Sequence, residues 1–169
     1  MAKQEKSLHM TVLMTPDMGN FSGNVHGGSI LKLLDQVAYA CAARYCRHYV
    51  VTLSIDHVMF NKPIKVGELV SFRANINYVG TSSMEVGVKV IAEDLETNTK
   101  RHTNSCYITM ICVDKDHRPT KAPELEIETE FERQLFEAAK MRRELRQEMA
   151  RRNAEITAGI ADYNTDVNT

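Results

Sequence analysis

Hydrophobic and polar residues follow two different periods along this chain. From Ser29 to about Arg47, apolar side chains recur three or four positions apart, which is the spacing of a helix with a broad apolar face. Further along, apolar residues alternate with polar ones in four segments, as half-buried strands do. The pattern therefore predicts one long buried helix and, after it, an extensive sheet.

Five strands are predicted in total. A short one covers residues 8–14, before the helix. The most regular alternation gives two strands at residues 70–78 and 84–90, and the short link between them predicts an antiparallel hairpin. The last two begin near Val51 and Cys106. An antiparallel sheet that curls around a single central helix gives each element an apolar neighbour, so the predicted fold class is α+β.

The composition changes after Pro123. Six glutamates precede six lysines and arginines, an order that suits the helix macrodipole, so residues 124–156 are predicted to form a charged helical extension. Its apolar seam is narrow, which places it on a surface. Residues 1–7 are predicted to be an N-terminal tail and residues 157–169 a flexible one, on either side of a domain that spans residues 8–123.

Charge and hydropathy exclude several classes of protein. Lysine and arginine number 21 and aspartate and glutamate 22, so the chain lacks the positive field of a nucleic-acid-binding domain. The longest apolar stretch, residues 37–43, is far too short to span a bilayer, and the N-terminus lacks a secretory signal. We therefore expect a cytoplasmic protein that binds neither nucleic acid nor membrane.

The four cysteines and six histidines are scattered singly. The cysteines lack C-x-x-C spacing, and no two histidines lie three or four residues apart, the spacing that places two ligands on one helix face. We predict reduced, mostly buried cysteines and no metal site.

One carboxylate lies inside the predicted helix. Asp35 has Leu31, Ala38 and Ala42 on its side of the helix, so the sequence predicts a buried acid. Burial disfavours the charged form of a carboxyl group and suits it to act as a general base near neutral pH. The alternative is an ion pair with an arginine at a subunit contact, and the residues alone leave both open.

Gly27 and Gly28 open the same helix. Unpaired amides and the positive end of the helix dipole then point into the preceding loop, where they are able to polarise a carbonyl oxygen. Two glycines also make a tight turn, which is the simpler interpretation. For His26, which precedes them, a structural role is favoured because no serine or cysteine nucleophile accompanies it.

These residues carry a family resemblance. The run from Pro16 to Asp35 reads Pro-Asp-x-x-Asn-Phe-Ser-Gly-Asn-Val-His-Gly-Gly-x-x-Leu-x-x-Leu-Asp. It closely resembles the signature of hotdog-fold acyl-CoA thioesterases of the bacterial and brain acyl-CoA hydrolase type. The resemblance covers about residues 8–123, with shorter matches at residues 51–56, 60–64, 66–68, 80–83 and 101–104.

The resemblance implies a hotdog fold and the hydrolysis of acyl-CoA to a free acid and coenzyme A, without a required cofactor. It also implies a homodimer that shares its active sites, assembled further into a trimer of dimers. The family's catalytic aspartate falls on Asp35 and its asparagine on Asn20, acting from opposite subunits. Asp35 then serves as general base or as nucleophile, and the amides of Gly28 and Gly27 stabilise the oxyanion.

Other site residues follow from the same resemblance. Asn20 orients the water or holds the substrate carbonyl. Asn24 competes for that role, although a left-handed loop position is the favoured interpretation. Family segments that approach the nucleotide match Lys62, Arg101, Thr81, Ser82 and Ser83, which are the predicted coenzyme A contacts.

Two other functions remain open at this point. One is an acyl-thioester hydratase or dehydratase of the same fold, which the pairing of the aspartate with asparagine rather than histidine disfavours. The other is a non-catalytic acyl-CoA sensor or scaffold that uses the charged C-terminal helix to bind a partner. The sequence does not give the acyl chain length.

Overall fold

A computed structural model of the chain describes residues 4–160. They form two compact units, of which one ends at Glu126 and the other begins at Ile127. The first unit holds five strands and a long helix, and the second holds one helix. Their bounds are β1 Ser7–Leu13, α1 Gly27–Cys46, β2 Tyr49–Ile55, β3 Leu69–Val79, β4 Ser83–Asp94, β5 Thr99–Val113 and α2 Glu130–Ala158.

The five strands form one antiparallel sheet with the spatial order β1-β3-β4-β5-β2. β3 and β4 pair from Leu69 opposite Glu93 to Val79 opposite Met84, which confirms the predicted hairpin. β5 returns beside β4, and β2 pairs with the far side of β5. β1 and β2 are therefore the edge strands. The predicted α+β fold is confirmed.

Helix α1 lies against the sheet and contacts all five strands. It begins at Gly27, as the opening pair of glycines predicted and two residues before the apolar stripe, because the ring of His26 accepts a hydrogen bond from the amide of Gly28 and caps the helix there. It ends where Arg47 adopts a left-handed conformation. The face of α1 toward the sheet belongs to the main hydrophobic core, so the predicted buried helix is confirmed.

Edge strand β2 departs from the expected burial pattern. If the apolar side of β2 faced the core, Val51, Leu53 and Ile55 would be buried. These side chains are instead 37%, 67% and 38% exposed. The opposite side of the strand faces α1, since Thr52 hydrogen-bonds to Asp35. Exposed apolar side chains along an unpaired sheet edge are a surface that a further chain is suited to cover.

Helix α2 begins later than predicted. The predicted extension starts at residue 124, whereas α2 starts at Glu130, because Thr129 and Glu132 form a capping box at that point. It continues to Ala158, into the predicted flexible tail. The remainder of that tail, residues 161–169, and the first three residues of the chain lie outside the described residues.

All four cysteines are buried, as predicted, and none forms a disulfide. Burial raises the pKa of the Cys41 and Cys106 thiols to about 12. They therefore stay protonated at neutral pH and are poor nucleophiles. Within residues 4–160, no helix combines the length and apolarity that a bilayer span needs. The same residues contain no group of histidine, cysteine and acidic side chains placed to hold a metal ion.

Candidate active site

A cavity of about 340 Å³ lies beside the first turn of α1. This volume is at the lower end of the range for small-molecule pockets. Four segments form its walls: the glycine-rich loop before α1, the start of α1, the connection from β2 to β3, and β5. The lining residues are Asn20, Asn24, Val25, Gly27, Ile30, Phe60, Lys62, Pro63, Ile64, Thr103 and Asn104.

The glycine-rich loop is organised by one side chain. Oδ1 of Asn20 accepts hydrogen bonds from the amide and the hydroxyl of Ser22, at 2.9 and 2.7 Å, and from the amide of Asn24 at 3.2 Å. The left-handed position in this loop is Gly23, with φ of 79°, so the left-handed backbone favoured for Asn24 is wrong. Because its oxygen is occupied by the loop, Asn20 presents its amide nitrogen as the available donor.

The first turn of α1 offers one unpaired amide. The amide of Gly28 donates to Nδ1 of His26 at 2.9 Å, and the amides of Ser29 and Ile30 donate to the His26 carbonyl. The amide of Gly27 has no acceptor within the described residues. His26 thus has a structural role as the helix cap, and Gly27 is the donor that a ligand in the cavity would find.

Asp35 lies two turns further along α1. It is half-buried rather than buried as predicted, because it lies beside the open edge strand β2. The hydroxyl of Thr52 donates to its Oδ1 at 2.6 Å, a short charge-assisted bond. At a rise of ~1.5 Å per residue, Asp35 is ~12 Å along the helix axis from Gly27. A single chain therefore does not bring this carboxylate and that amide to one carbonyl group.

The alternative prediction for Asp35 was an ion pair with an arginine at a subunit contact. Within the described residues, Asp35 forms no ion pair, and its hydrogen-bond partner is the neutral hydroxyl of Thr52. The alternative ion pair was predicted at a contact between subunits, so it stays a prediction.

Two of the predicted coenzyme A contacts lie near the cavity. Lys62 lines it and is exposed. Arg101 is engaged elsewhere: its guanidinium donates to both carboxylate oxygens of buried Glu68, at 2.6 and 2.7 Å, and to the carbonyl of Pro63. Burial raises the pKa of Glu68, but hydrogen bonds from Arg101 and from the amide of Lys65 outweigh burial and hold it below its ordinary value. Arg101 therefore has a structural partner that the sequence did not indicate.

The link Thr81–Ser83 is remote from the cavity. It joins β3 to β4, and Ser83 pairs with Ile111 of β5. Ile111 lies seven residues beyond Asn104, which is about 24 Å along an extended strand. Within one chain this link therefore does not line the cavity.

Three polar residues of these regions were not predicted to belong to a site. Thr103 and Asn104 line the cavity and are each 5% exposed. Asn104 lies on the same strand face as buried Cys106 and Ile108. A polar residue at a position that alternates in register with core residues is the signal by which the sequence could have indicated a buried site residue. Thr52 gave no such signal, because the polar side of an edge strand ordinarily faces solvent.

Comparison with known proteins places this chain. Residues 22–98 match the family described as the thioesterase superfamily. Protein VdlD of Helicobacter pylori is 50% identical over 139 residues, covering 82% of this chain and 79% of VdlD. YkhA of Bacillus subtilis, named an uncharacterized acyl-CoA thioester hydrolase, is 34% identical over 158 residues, covering 94% and 91% of the two chains. The chain belongs to the thioesterase superfamily.

Solved thioesterase structures share its fold. A hexameric acyl-CoA thioesterase, solved in its apo form, superposes with a TM-score of 0.82 at 33% identity, covering 85% of this chain and 92% of that one. The acyl-CoA hydrolase of Staphylococcus aureus, solved with butyryl coenzyme A, coenzyme A and coenzyme A disulfide, gives a TM-score of 0.80 at 29% identity, covering 91% and 96%. The predicted hotdog-fold thioesterase is thereby confirmed.

The Staphylococcus aureus enzyme has also been solved with single alanine replacements of an aspartate, an asparagine and a threonine. In that enzyme the asparagine precedes the aspartate by 15 residues and the threonine follows the aspartate by 17.

A further relative, named cytosolic acyl coenzyme A thioester hydrolase, comes from Rattus norvegicus. It is 33% identical over 132 residues, covering 77% of this thioesterase and 35% of the rat protein.

Proposed function

We propose that this chain is an acyl-CoA thioesterase whose active site is completed by a second subunit. The observation that carries the proposal is the separation of two complementary groups in one chain. The cavity beside Gly27 offers hydrogen-bond donors and no carboxylate, whereas Asp35, ~12 Å along the helix, offers a carboxylate oriented by Thr52. Hydrolysis of a thioester needs both at one carbonyl group.

The Staphylococcus aureus variants support this choice of residues. Asn20 precedes Asp35 by 15 residues, and Thr52 follows it by 17, which are the spacings of the three residues replaced by alanine in that enzyme. Thr52 also hydrogen-bonds Asp35 here, so the spacing and the geometry agree. We assign Asp35 the role of catalytic acid–base or nucleophile and Thr52 that of its positioning residue.

In this mechanism Asp35 removes a proton from water as the water attacks the thioester carbon. General-base assistance of this kind contributes roughly 10²–10⁴-fold to the rate. Attack by the carboxylate itself, through a mixed anhydride, is the alternative route with the same residue. In either route the carbon–sulfur bond breaks and coenzyme A leaves as a thiolate that takes up a proton. In the second route water then hydrolyses the anhydride, which releases the free acid and restores the Asp35 carboxylate.

The developing oxyanion is stabilised by donors at the start of α1. The unpaired amide of Gly27 is the first donor, and the amide of Gly28 adds to it when the His26 ring turns away from its capping position. One such donor contributes ~3–4 kcal/mol to barrier lowering. The amide nitrogen of Asn20 completes the site by holding the carbonyl oxygen or the attacking water.

The second subunit is proposed to join at β2. Val51, Leu53 and Ile55 expose apolar surface on a strand that is unpaired on its outer side. Pairing of two β2 strands about a two-fold axis satisfies the free backbone groups of this edge, brings the two sets of apolar side chains together and creates two identical sites, each with Asn20 from one chain and Asp35 from the other. A trimer of such dimers is proposed by analogy with the hexameric relative.

Coenzyme A contacts divide between the subunits in the same way. Lys62 lines the cavity and is placed to meet a phosphate, and Arg101 anchors the wall behind it through Glu68. The link Thr81–Ser83 reaches the nucleotide from the partner subunit. A cytoplasmic location is part of the proposal, supported by the cytosolic relative. No metal or other cofactor enters this mechanism.

The proposal is tested by following thiol release from acyl-CoA substrates of increasing chain length. Turnover that depends on Asp35 supports the proposal, and the profile identifies the preferred acyl chain. Tight binding of acyl-CoA without thiol release would establish the sensor instead. Loss of conjugated absorbance from an enoyl-CoA without thiol release would establish the hydratase.

A further inference from the structure

Asn104 is a buried polar residue with an unpaired donor. It is 5% exposed and lines the cavity beside Gly27. Its Nδ2 atom is fully buried and has no hydrogen-bond partner within the described residues. Its oxygen is engaged, because the hydroxyl of Thr103 donates to Oδ1 at 3.2 Å. A buried donor without an acceptor is costly, so its place in a cavity wall indicates a ligand that supplies the acceptor.

A β-bulge gives Asn104 this position. Val90 of β4 pairs with Asn104, whereas the next residue, Ile91, pairs with His102, so Thr103 is an extra residue in β5. Bulges change the direction of side chains and are frequent near active sites. Here the bulge leaves Thr103 and Asn104 both buried at the cavity, where regular alternation would expose one of them.

The chemistry of the walls indicates which acceptor fits. The lining residues include no aspartate or glutamate, and the apolar ones include buried Ile30 and Ile64. Besides the exposed side chains of Asn20 and Lys62, the available donors are the neutral amides of Gly27 and Asn104. Neutral amide donors in an apolar setting suit an uncharged carbonyl oxygen, whose desolvation is less costly than that of a phosphate.

We propose that Asn104 is a substrate-binding residue whose Nδ2 donates a hydrogen bond to a carbonyl oxygen of the acyl-CoA. This inference rests on the proposed function. An acyl-CoA carries such oxygens in its thioester and in the amides of its pantetheine arm. Free coenzyme A carries the pantetheine amides alone, so it distinguishes the two sources.

The test compares wild type with Asn104→Leu, which keeps a similar volume and removes the donor. The control is Ser105→Ala, the next residue of β5, which is exposed and hydrogen-bonds the ring of His102. Thiol release gives kcat and KM, calorimetry gives the Kd for coenzyme A, and thermal unfolding gives Tm. Asn104→Ala is the second variant if the leucine protein does not fold.

We expect kcat/KM of Asn104→Leu to fall about tenfold, the effect of a lost hydrogen bond in a desolvated site, while Tm stays constant or rises. Stability is retained because the substitution removes an unpaired buried donor, and the Thr103 hydroxyl keeps its bond to the carbonyl of Val90. Ser105→Ala is expected to keep wild-type kinetics.

A lower kcat with an unchanged Kd for coenzyme A assigns the thioester oxygen. A higher KM together with a higher Kd assigns a pantetheine amide. Wild-type kinetics and Kd overturn the inference, as does a parallel fall of Tm and activity in both Asn104 variants, which is the result of a structural residue. If wild type itself releases no thiol from any acyl-CoA, the proposed function fails, and the Kd values of wild type and Asn104→Leu for an intact acyl-CoA then decide whether Asn104 binds the ligand.

Discussion

The loop that carries Asn20 and the helix segment that carries Asp35 are built in opposite ways. The loop is held together from within, because the side-chain oxygen of Asn20 accepts three hydrogen bonds from loop residues. The side-chain amide nitrogen of Asn20 remains as a donor, and Asn20 lines the cavity. Asp35 instead has one short bond from Thr52 and lies half-exposed beside the open edge of the sheet. One region supplies donors and the other supplies the base. The difference indicates that each is half of a site.

Removal of the base gives the largest expected effect. Asp35→Asn keeps the side-chain volume and an oxygen that accepts from Thr52, but it no longer takes a proton. We expect kcat to fall by roughly 10²–10⁴-fold, measured by thiol release, with the assembled state unchanged by sedimentation. Activity close to that of wild type would move the chemistry away from the helix segment.

Disruption of the edge strand is expected to separate the halves. Leu53→Asp places a charge on the 67% exposed apolar edge of β2, so the dimer dissociates and activity is lost with it. Sedimentation measures the mass. Leu95→Asp is the control, since Leu95 is 54% exposed in the turn between β4 and β5. An active Leu53→Asp monomer would show that one chain holds a complete site.

Loss of the positioning hydroxyl has a smaller effect. Thr52→Ala removes the bond to Asp35, and hydrogen bonds to charged groups contribute about 1.5–3 kcal/mol, so we expect kcat to fall about 10–100-fold. KM is expected to stay close to its wild-type value because the role assigned to Thr52 is to position Asp35 rather than to bind the substrate. Thr52→Ser retains the hydroxyl and is expected to recover most of the activity. Equal activity in all three proteins would remove Thr52 from the site.

The ion pair of Glu68 and Arg101 is expected to affect the stability of the fold rather than the catalytic step. Glu68→Gln is expected to lower the free energy of unfolding by about 1.5–3 kcal/mol at pH 7, because Arg101 loses its charged partner. The pKa of Glu68 is held below its ordinary value of 4.5, so this stabilisation is fully present above that pH and is lost as the pH falls through the lowered pKa.

Thermal unfolding of Glu68→Gln and wild type at pH 7 and in acid measures this difference, which should shrink as the pH falls. Glu93→Gln is the control, because its partner Lys100 is largely exposed and the pair contributes little. A pH-independent difference would assign the loss to packing instead of the ion pair.

The fold was largely predictable, because its strongest signals are periodic. The stripe of α1 and the alternation of β3 and β4 each repeat over many residues, and the structure has both elements. The predicted start of α2 was six residues too early, because acidic residues before Glu130 suit a helix N-terminus equally well. The capping box of Thr129 and Glu132 sets the actual start at Glu130.

The candidate site was predictable only in part. The resemblance pointed to Asn20 and Asp35. The burial of Asp35 also depends on the neighbouring strand β2. The apolar side of β2 faces outward, and the alternation of its residues does not show which side faces the core. The ion pair of Arg101 and the cavity position of Asn104 depend on contacts between strands that are distant along the chain. Periodicity within one element contains no information about such contacts.

Subunit exchange between Asn20→Ala and Asp35→Ala proteins tests the shared site most directly. In each mixed dimer one site carries both substitutions and the other carries neither, so a 1:1 mixture at full exchange should recover about a quarter of wild-type thiol release. Native mass spectrometry verifies that mixed dimers form. Recovery near that fraction is the expected result, whereas verified exchange with no activity above that of the separate variants would contradict a site built from two chains.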